Sequence, residues 1–560
     1  MNQSAKSRNP VVEAGPSRWE DAVDTKFPGS ATAPDRSAVR PDPQPLAPGF
    51  PAEYNAAHDL IERNLAAGRG DKPAFIDDDT TCTYRELAIR VNRFAHALRA
   101  LDLRPEERAL LCLVDTIDFP TAFLGSIKAG IVPVAANTLL TASDYAYMLA
   151  NSRARALVVS ASLLPAFVPL LPSLPSLQHV IVSHGAPGAH HGFDDLLAKA
   201  PPEFDAVKTS PDEVCFWLYS SGSTGAPKGT MHAHSSLVQT ADLYARPVLG
   251  IREDDVVFSA AKLFFAYGLG NGLTFPMAVG ATAILMAERP TPAAVAKRLV
   301  ERKPTIFYGV PTLYAAMLAS ADLPAKGAVA LRTCVSAGEA LPENIGRRWT
   351  SHFGVDILDG IGSTEMLHIF LSNRPGDVHY GTTGVPVPGY AVRVVDDAMR
   401  DVKPGEVGDL YIAGPTAAIG YWNSREKSRA TFQGMWTRSG DKYRIDPEGR
   451  YVYEGRSDDM LKVSGQYVSP VEVEAALITH PAVLEAAVVG REDEDRLTKP
   501  VAYVVLKPGQ VRGAGLGDEL RAHVKSKLAP YKYPRWIEFL DELPKTATGK
   551  IQRFKLRGRG

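Results

Sequence analysis

Apolar residues fall at Leu87, Val91, Phe94, Leu98 and Leu101, in steps of four, three, four and three, the period of a single buried helix face. Just ahead of them, Thr83-Tyr84-Arg85-Glu86 sets a hydroxyl and a carboxylate where each satisfies the other's unpaired amide, a capping box that starts the helix. Shorter apolar runs at 109–114, 156–160, 180–182, 214–219, 305–308 and 355–358 predict buried strands. Helical stretches separate many of them, which favours α/β architecture with largely parallel sheets.

Past about residue 390 the pattern shortens to strands with turn residues, at 391–396, 408–413 and 450–454, and predicts a β-rich subdomain over about 385–457. After Asp458 a helix is expected at Ser469-Pro470-Val471-Glu472, with Ser as N-cap, Pro in the first turn and Glu reaching back. Strands near 485–490 and 500–506 and a helix near 517–528 complete a small α+β unit. Residues 1 to 50 are crowded with Pro, Asp, Ser and Arg and show no apolar period, so they read as a flexible extension. Trp19 and Phe27 could anchor it, yet a solvated tail is the favoured reading. The expected organisation is therefore an extension (1–50), a large N-terminal domain of α/β subdomains plus the β-rich one (51–457), and a small mobile C-terminal domain on a hinge (458–560). No solenoid or propeller repeat is visible.

Composition narrows the function classes. A chain of 560 residues suggests two to four units at about 150 residues each. Its 62 basic and 63 acidic residues nearly cancel, which leaves no long-range field for nucleic acid or an anionic membrane. Phosphate must then be held locally. Cys82, Cys112, Cys215 and Cys334 lie far apart without CxxC spacing, against a disulfide framework or structural zinc and in favour of a reducing cytoplasm. No signal-peptide pattern opens the chain, no apolar run approaches the roughly 18 residues of a spanning helix, and Arg557-Gly558-Arg559-Gly560 is no peroxisomal address.

The strongest chemical signal is Tyr219-Ser220-Ser221-Gly222-Ser223-Thr224-Gly225-Ala226-Pro227-Lys228-Gly229, a small hydroxyl-rich loop directly after a buried strand. Glycines let backbone amides converge on an anion, hydroxyls add donors, and the lysine brings a point charge. It is no Walker A loop, because Lys228 lies between Pro227 and Gly229. Gly268-Leu269-Gly270-Asn271-Gly272 likewise misses the dinucleotide GxGxxG spacing. Kinase, GTPase and nicotinamide readings fall away.

The loop resembles the phosphate signature of the adenylate-forming superfamily, which includes acyl- and aryl-CoA ligases, peptide-synthetase adenylation domains and luciferases. Further motifs follow in that family's order over about 50 to 560. Ser336-Ala337-Gly338-Glu339-Ala340-Leu341 resembles its adenine turn, and Asp359-Gly360-Ile361-Gly362-Ser363-Thr364-Glu365 its central motif. There the resemblance implies Thr364 on phosphate or acyl carboxylate and Glu365 on magnesium. Ser439-Gly440-Asp441 resembles the ribose-binding element, Gly455-Arg456-Ser457-Asp458-Asp459 the hinge, and Pro544-Lys545-Thr546-Ala547-Thr548-Gly549-Lys550 the motif whose last lysine serves adenylation. Gly465 takes the place of a glycine beside the pantetheine of coenzyme A, where a side chain would block approach. The implied cofactors are ATP, Mg2+ and coenzyme A. Ile361 departs from the tyrosine that stacks on adenine in many relatives, so aliphatic packing is expected there.

Alone, several of these residues read more plainly. Lys550 would be one cation of the basic tail Lys550, Arg553, Lys555 and Arg557, Asp441 a turn residue, and Glu365 a helix-start acid. The family's acyl pocket falls at Lys262-Leu263-Phe264-Phe265-Ala266-Tyr267-Gly268, aromatic and uncharged beyond the lysine. No carboxylate stands there to pair the ammonium of an amino acid. Phe265, Ala266, Tyr267 and Gly362 are expected on the acid, with His368-Ile369 as the opposite wall; Phe264, Tyr267 and His368 read equally as core residues without a ligand, Phe264 above all. Residues 259–276 and 360–373 resemble benzoate-CoA ligases, which implies benzoate as the small aryl acid. A substituted benzoate or other aryl acid, carrier-protein loading and luciferase-like oxidation stand as rivals, a non-enzymatic nucleotide-binding module is disfavoured by the presence of both lysines and Glu365, and a homodimer is compatible.

Overall fold

The structure, a computed structural model, describes residues 49–222, 225–457, 459–463, 466–493, 497–529, 532–545 and 551–557. Contacts divide the chain into Met1–Asp42, which lies outside the described residues together with the anchors expected at Trp19 and Phe27, and Pro43–Gly560.

The predicted capping box forms. Thr83 Oγ1 accepts from the Glu86 amide (3.2 Å) and Glu86 Oε2 accepts from the Thr83 amide (2.8 Å), opening the helix Tyr84–Ala100. Leu87, Val91, Phe94 and Leu98 are fully buried, each contributing about 1.5 to 3 kcal/mol by leaving water, while Leu101 lies just past the helix end. The face packs on the helix Asp118–Lys128, where a Cβ on Gly125 would stand 2.9 Å from Phe94 and 3.0 Å from the Val91 carbonyl. Glycine there lets the two helices close.

Among the described residues two large sheets form the body. The first runs Val385–Pro386, Ile369–Ser372, Ile357–Gly362, Thr333–Ser336, Ile306–Gly309, Val256–Ser259, Thr282–Ile284, Pro73–Ile76, Thr81–Thr83, with a parallel centre and antiparallel margins. The second runs Gly420–Tyr421, Gly225–Ala233, Val214–Gly222, Val132–Ala135, Arg108–Cys112, Ala156–Ser160, His179–Ser183, His191–Gly192 and is parallel except at the Gly225–Ala233 end. Helices cover these sheets, the α/β class expected from the alternating pattern. Among the described residues no helix is long and apolar enough to cross a membrane.

An antiparallel sheet follows, built on Ala391–Val395, Gly408–Ala413, Trp436–Ile445 and Tyr451–Arg456. Beyond it the strands Val483–Glu492, Thr498–Leu506 and Trp536–Leu540 pack under the helices Pro470–Ile478 and Ala514–Lys527. Ser469 caps the first of these through the Glu472 amide (3.1 Å), but the Glu472 carboxylate is drawn to Lys532 (2.5 Å), where an opposite charge outbids the expected return to the backbone. The basic tail is likewise structural in part: Arg553 makes a forked pair with buried Glu474 (3.0 and 2.7 Å), and Arg557 pairs with Asp459.

Candidate active site

Parallel pairing brings strand ends level. Ser259 lies opposite Tyr308, Gly309 opposite Ser336, and Ser336 opposite Asp359, so the segments that leave these strands emerge along one carboxyl-terminal edge, the customary ligand edge of an open α/β sheet. Tyr267 is pinned across that edge, its hydroxyl donating to the carbonyls of Gly309 (3.3 Å) and Val335 (3.2 Å). Phe265 and Ala266 are half-buried beside it, whereas Phe264 is 4% exposed and belongs to the core.

The opposite wall meets Tyr267 directly. His368 is 2% exposed, its Nε2 lies 3.3 Å from the Tyr267 carbonyl and 3.2 Å from Asn271 Oδ1, and its ring rests against Tyr244, Tyr267 and Phe275. Burial pushes its imidazole down to about 3, so it is neutral at pH 7. Two glycines make room: a Cβ on Gly270 would stand 2.3 Å from the His368 ring, and one on Gly362 2.6 Å from the His368 carbonyl. Ile369 is buried in its strand, and Ile361 is half-buried against the main core.

The phosphate signature sits on a hairpin and is less of a loop than expected. The strand from Val214 continues through Ser221 to Gly222, which pairs with Gly225 at the head of the returning strand. Ser223 and Thr224 lie outside the described residues. On the return, Lys228 Nζ donates to the Tyr421 hydroxyl (3.2 Å) and lies 4.2 Å from the centre of that ring. Tyr421 in turn donates to Glu365 Oε1 (2.8 Å). Partial burial lowers the lysine from its usual range, and Glu365 opposes this. Thr364 and Glu365 are half-buried in one tight turn, Thr364–Met366, capped by Ser363 Oγ on the Met366 amide (3.2 Å). Leu367 follows with φ +66, a backbone state that costs a non-glycine residue about 1 to 3 kcal/mol and turns the chain from Glu365 back to His368.

Gly338 adopts φ +95 in the turn after Thr333–Ser336, with Glu339 half-buried and Ala340 exposed. Asp359 and Gly360 lie on the neighbouring strand; burial raises the Asp359 carboxyl well above its usual range, while the Leu341 amide and Ser336 hydroxyl oppose this. Asp441 is 6% exposed and faces Arg456 directly across the strand pair, at 3.0 Å. Asp458, Gly465 and Lys550, expected as the hinge, the pantetheine glycine and the adenylation lysine, lie outside the described residues.

Residues 62–422 match the AMP-binding enzyme family, and residues 472–550 match the AMP-binding enzyme C-terminal domain. The chain belongs to the AMP-binding enzyme family. Among AMP-binding enzymes, it is 66% identical to the benzoate--CoA ligase of Thauera aromatica over 92% of this chain and 97% of that protein. A solved benzoate CoA ligase from Burkholderia xenovorans LB400 superposes with TM-score 0.85 at 60% identity, covering 90% of this chain and all of that one. The anthranilate CoA ligase AuaEII, solved with anthranoyl-AMP, superposes with TM-score 0.87 at 45% identity, over 90% of this chain and 97% of that one.

Sequence reading missed Tyr421, Tyr244 and Asn271 around these groups. Tyr421 had one visible signal, the aromatic pair Tyr421-Trp422 at the head of the polar stretch Asn423-Ser424-Arg425-Glu426-Lys427. Tyr244 and Asn271 had none, since each looks like an ordinary core position.

Proposed function

We propose that this AMP-binding enzyme is an ATP-dependent benzoate-CoA ligase that converts benzoate, ATP and coenzyme A to benzoyl-CoA, AMP and pyrophosphate. The observation that carries the reading is the 66% identity to a benzoate--CoA ligase along 97% of that enzyme. The neutral aromatic wall of Tyr267 and His368 supports it, since both side chains are uncharged and offer ring surface to an aryl acid.

In the first half-reaction a benzoate oxygen attacks the α-phosphorus and pyrophosphate leaves; in the second the thiol of coenzyme A attacks the acyl carbonyl and AMP leaves. No enzyme nucleophile is required, consistent with four buried, unpaired cysteines, which also fit a reducing cytoplasm. The first step brings two anions together, so preorganised positive charge dominates its barrier. We assign that charge to Lys228 and Lys550, with Ser221, Gly222, Ser223, Thr224 and Gly225 wrapping phosphate and Thr364 on phosphate or carboxylate. Glu365 is the group that would hold magnesium, which supplies charge neutralisation when bound. A lone hard carboxylate completed by substrate phosphates suits that ion, and the described residues contain no cluster of three or more metal-ligating groups.

The adenine falls to Gly338, Glu339, Ala340, Asp359, Gly360, Ile361 and Gly362, and the ribose to Asp441, with Arg456 fixing that carboxylate. Phe265, Ala266, Tyr267, Gly362, His368 and Ile369 form the acid pocket. A C-terminal domain (458–560) turning about Asp458 from the N-terminal domain (51–457) would withdraw Lys550 and present Gly465 to pantetheine. AMP release over a panel of benzoate, 4-hydroxybenzoate, 2-aminobenzoate and alkyl acids tests the function. Benzoate is expected to give the highest kcat/KM; an alkyl acid leading the panel would overturn the assignment. Light scattering tests the homodimer.

A further inference from the structure

Segment 416–422 clips two separate parts of the site together. On one side Thr416 Oγ1 donates to the Met366 carbonyl (2.7 Å) and the Ala418 amide to the Glu365 carbonyl (2.8 Å), which fastens the turn bearing Glu365. On the other, the amides of Ile419 and Trp422 donate to the Met231 (2.9 Å) and Gly229 (2.8 Å) carbonyls, and Gly420 and Tyr421 pair with Met231 and Thr230. Trp422 packs on Trp217 at 4.7 Å from the other arm of the hairpin. One short strand thus braces the phosphate hairpin against the Glu365 turn.

Tyr421 is the side chain this brace sends into the gap. Its own amide is fixed on Ser428 Oγ (3.0 Å), its ring lies under Lys228 Nζ, and its hydroxyl accepts from Lys228 (3.2 Å) while donating to Glu365 (2.8 Å). We propose that Tyr421 is a positioning residue for adenylation: its hydroxyl holds the Lys228 ammonium and the Glu365 carboxylate at a set spacing, ready for triphosphate and magnesium. This rests on the reading of Lys228 and Glu365 given above. Without the hydroxyl a lysine on four rotatable bonds must find its place during binding, a preorganisation cost. The ring and the brace would persist.

The test compares Tyr421→Phe with Lys228→Ala and Glu365→Gln in the full-length enzyme. Pyrophosphate release is measured against ATP and magnesium, and benzoyl-CoA formation from supplied benzoyl-adenylate is measured separately. Tyr421→Phe is expected to lower kcat/KM for ATP by about 10- to 100-fold, the scale of a hydrogen bond to a charged group, and to raise the magnesium needed for half-maximal rate. Benzoate KM and the thioester step should stay within about twofold, since neither uses this hydroxyl. Unchanged ATP and magnesium dependence in Tyr421→Phe, with Lys228→Ala and Glu365→Gln impaired, overturns the positioning role and leaves the function standing. Equal loss of both half-reactions overturns it in favour of a structural role. Full adenylation by Lys228→Ala and Glu365→Gln removes the reading on which it stands.

Discussion

Gly270→Ala should damage benzoate recognition while leaving nucleotide binding intact. The backbone at Gly270 is helical, with φ −61, so an alanine there meets no conformational objection. The obstacle is His368: the new methyl would lie 2.3 Å from its Cδ2, 2.7 Å from its Nε2 and 3.1 Å from Phe275 Cζ, where carbon pairs settle at about 3.5 to 4.0 Å. The imidazole cannot yield easily, because it is 2% exposed and Tyr244 and Phe275 flank it at 5.5 and 4.4 Å. It must swing off its contacts with the Tyr267 carbonyl and Asn271, taking the pocket wall with it. Overpacking of this kind costs about 1 to 3 kcal/mol, equivalent to roughly a 5- to 150-fold change in an equilibrium constant. The assay is pyrophosphate release at saturating ATP across a benzoate series, with ATP KM and the melting curve as companions. Benzoate KM should rise within that range and ATP KM should hold within about twofold. Gly272→Ala is the control, since its methyl would meet only the terminal methyl of Leu263 at 3.0 Å and Ser259 Cβ at 4.0 Å, and no contact of His368. A folded Gly270→Ala enzyme with wild-type benzoate KM, or an equal rise in Gly272→Ala, refutes the reasoning.

Arg553→Met should unfold the C-terminal sheet region selectively, because it strands the buried Glu474 carboxylate; losing one partner of such a pair costs about 3 to 5 kcal/mol. Limited proteolysis with denaturant titration reads this, and a Glu474→Leu/Arg553→Met double variant no more stable than the single contradicts it. Asp115→Asn should alter the pH dependence of stability: burial pushes the Asp115 carboxyl up to about 6, against Lys262 and the Leu263 amide. A value raised above the unfolded 3.8 favours folding at low pH and loses that contribution as pH rises through about 6. Wild-type stability should therefore fall relative to the variant by about 1 to 2 kcal/mol between pH 5 and 8, and a constant difference by denaturant melts refutes this. Lys550→Ala should abolish adenylation yet still form benzoyl-CoA from supplied benzoyl-adenylate; equal loss of both steps contradicts the two-step domain rotation.

Local chemistry was the legible part of this chain. The Thr83-Glu86 box, the Leu87-to-Leu98 face and the apolar runs that become parallel strands each depend on neighbours within a few positions, where spacing speaks for itself. Glu472 shows the limit, since its capping pattern is correct and Lys532, sixty positions on, takes the carboxylate. The phosphate motif was visible, but its hairpin form depends on the register Gly222 opposite Gly225 and on Tyr421 pairing with Thr230. A two-residue strand carries no periodicity by which to detect it. The resemblance set His368 opposite Tyr267, but their direct contact was out of reach, because Gly270, Tyr244 and Asn271, which shape it, lie in distant stretches and none of them alone signals a partner for His368.

Isotope transfer from the acid to the nucleotide tests the central claim most directly. With benzoate carrying 18O in both carboxylate oxygens, attack on the α-phosphorus followed by displacement by coenzyme A must leave one labelled oxygen in the phosphate of AMP and one in benzoyl-CoA. The account predicts AMP with a single 18O, formed one-for-one with pyrophosphate and benzoyl-CoA. Unlabelled AMP, or ADP with the label in inorganic phosphate, would contradict it.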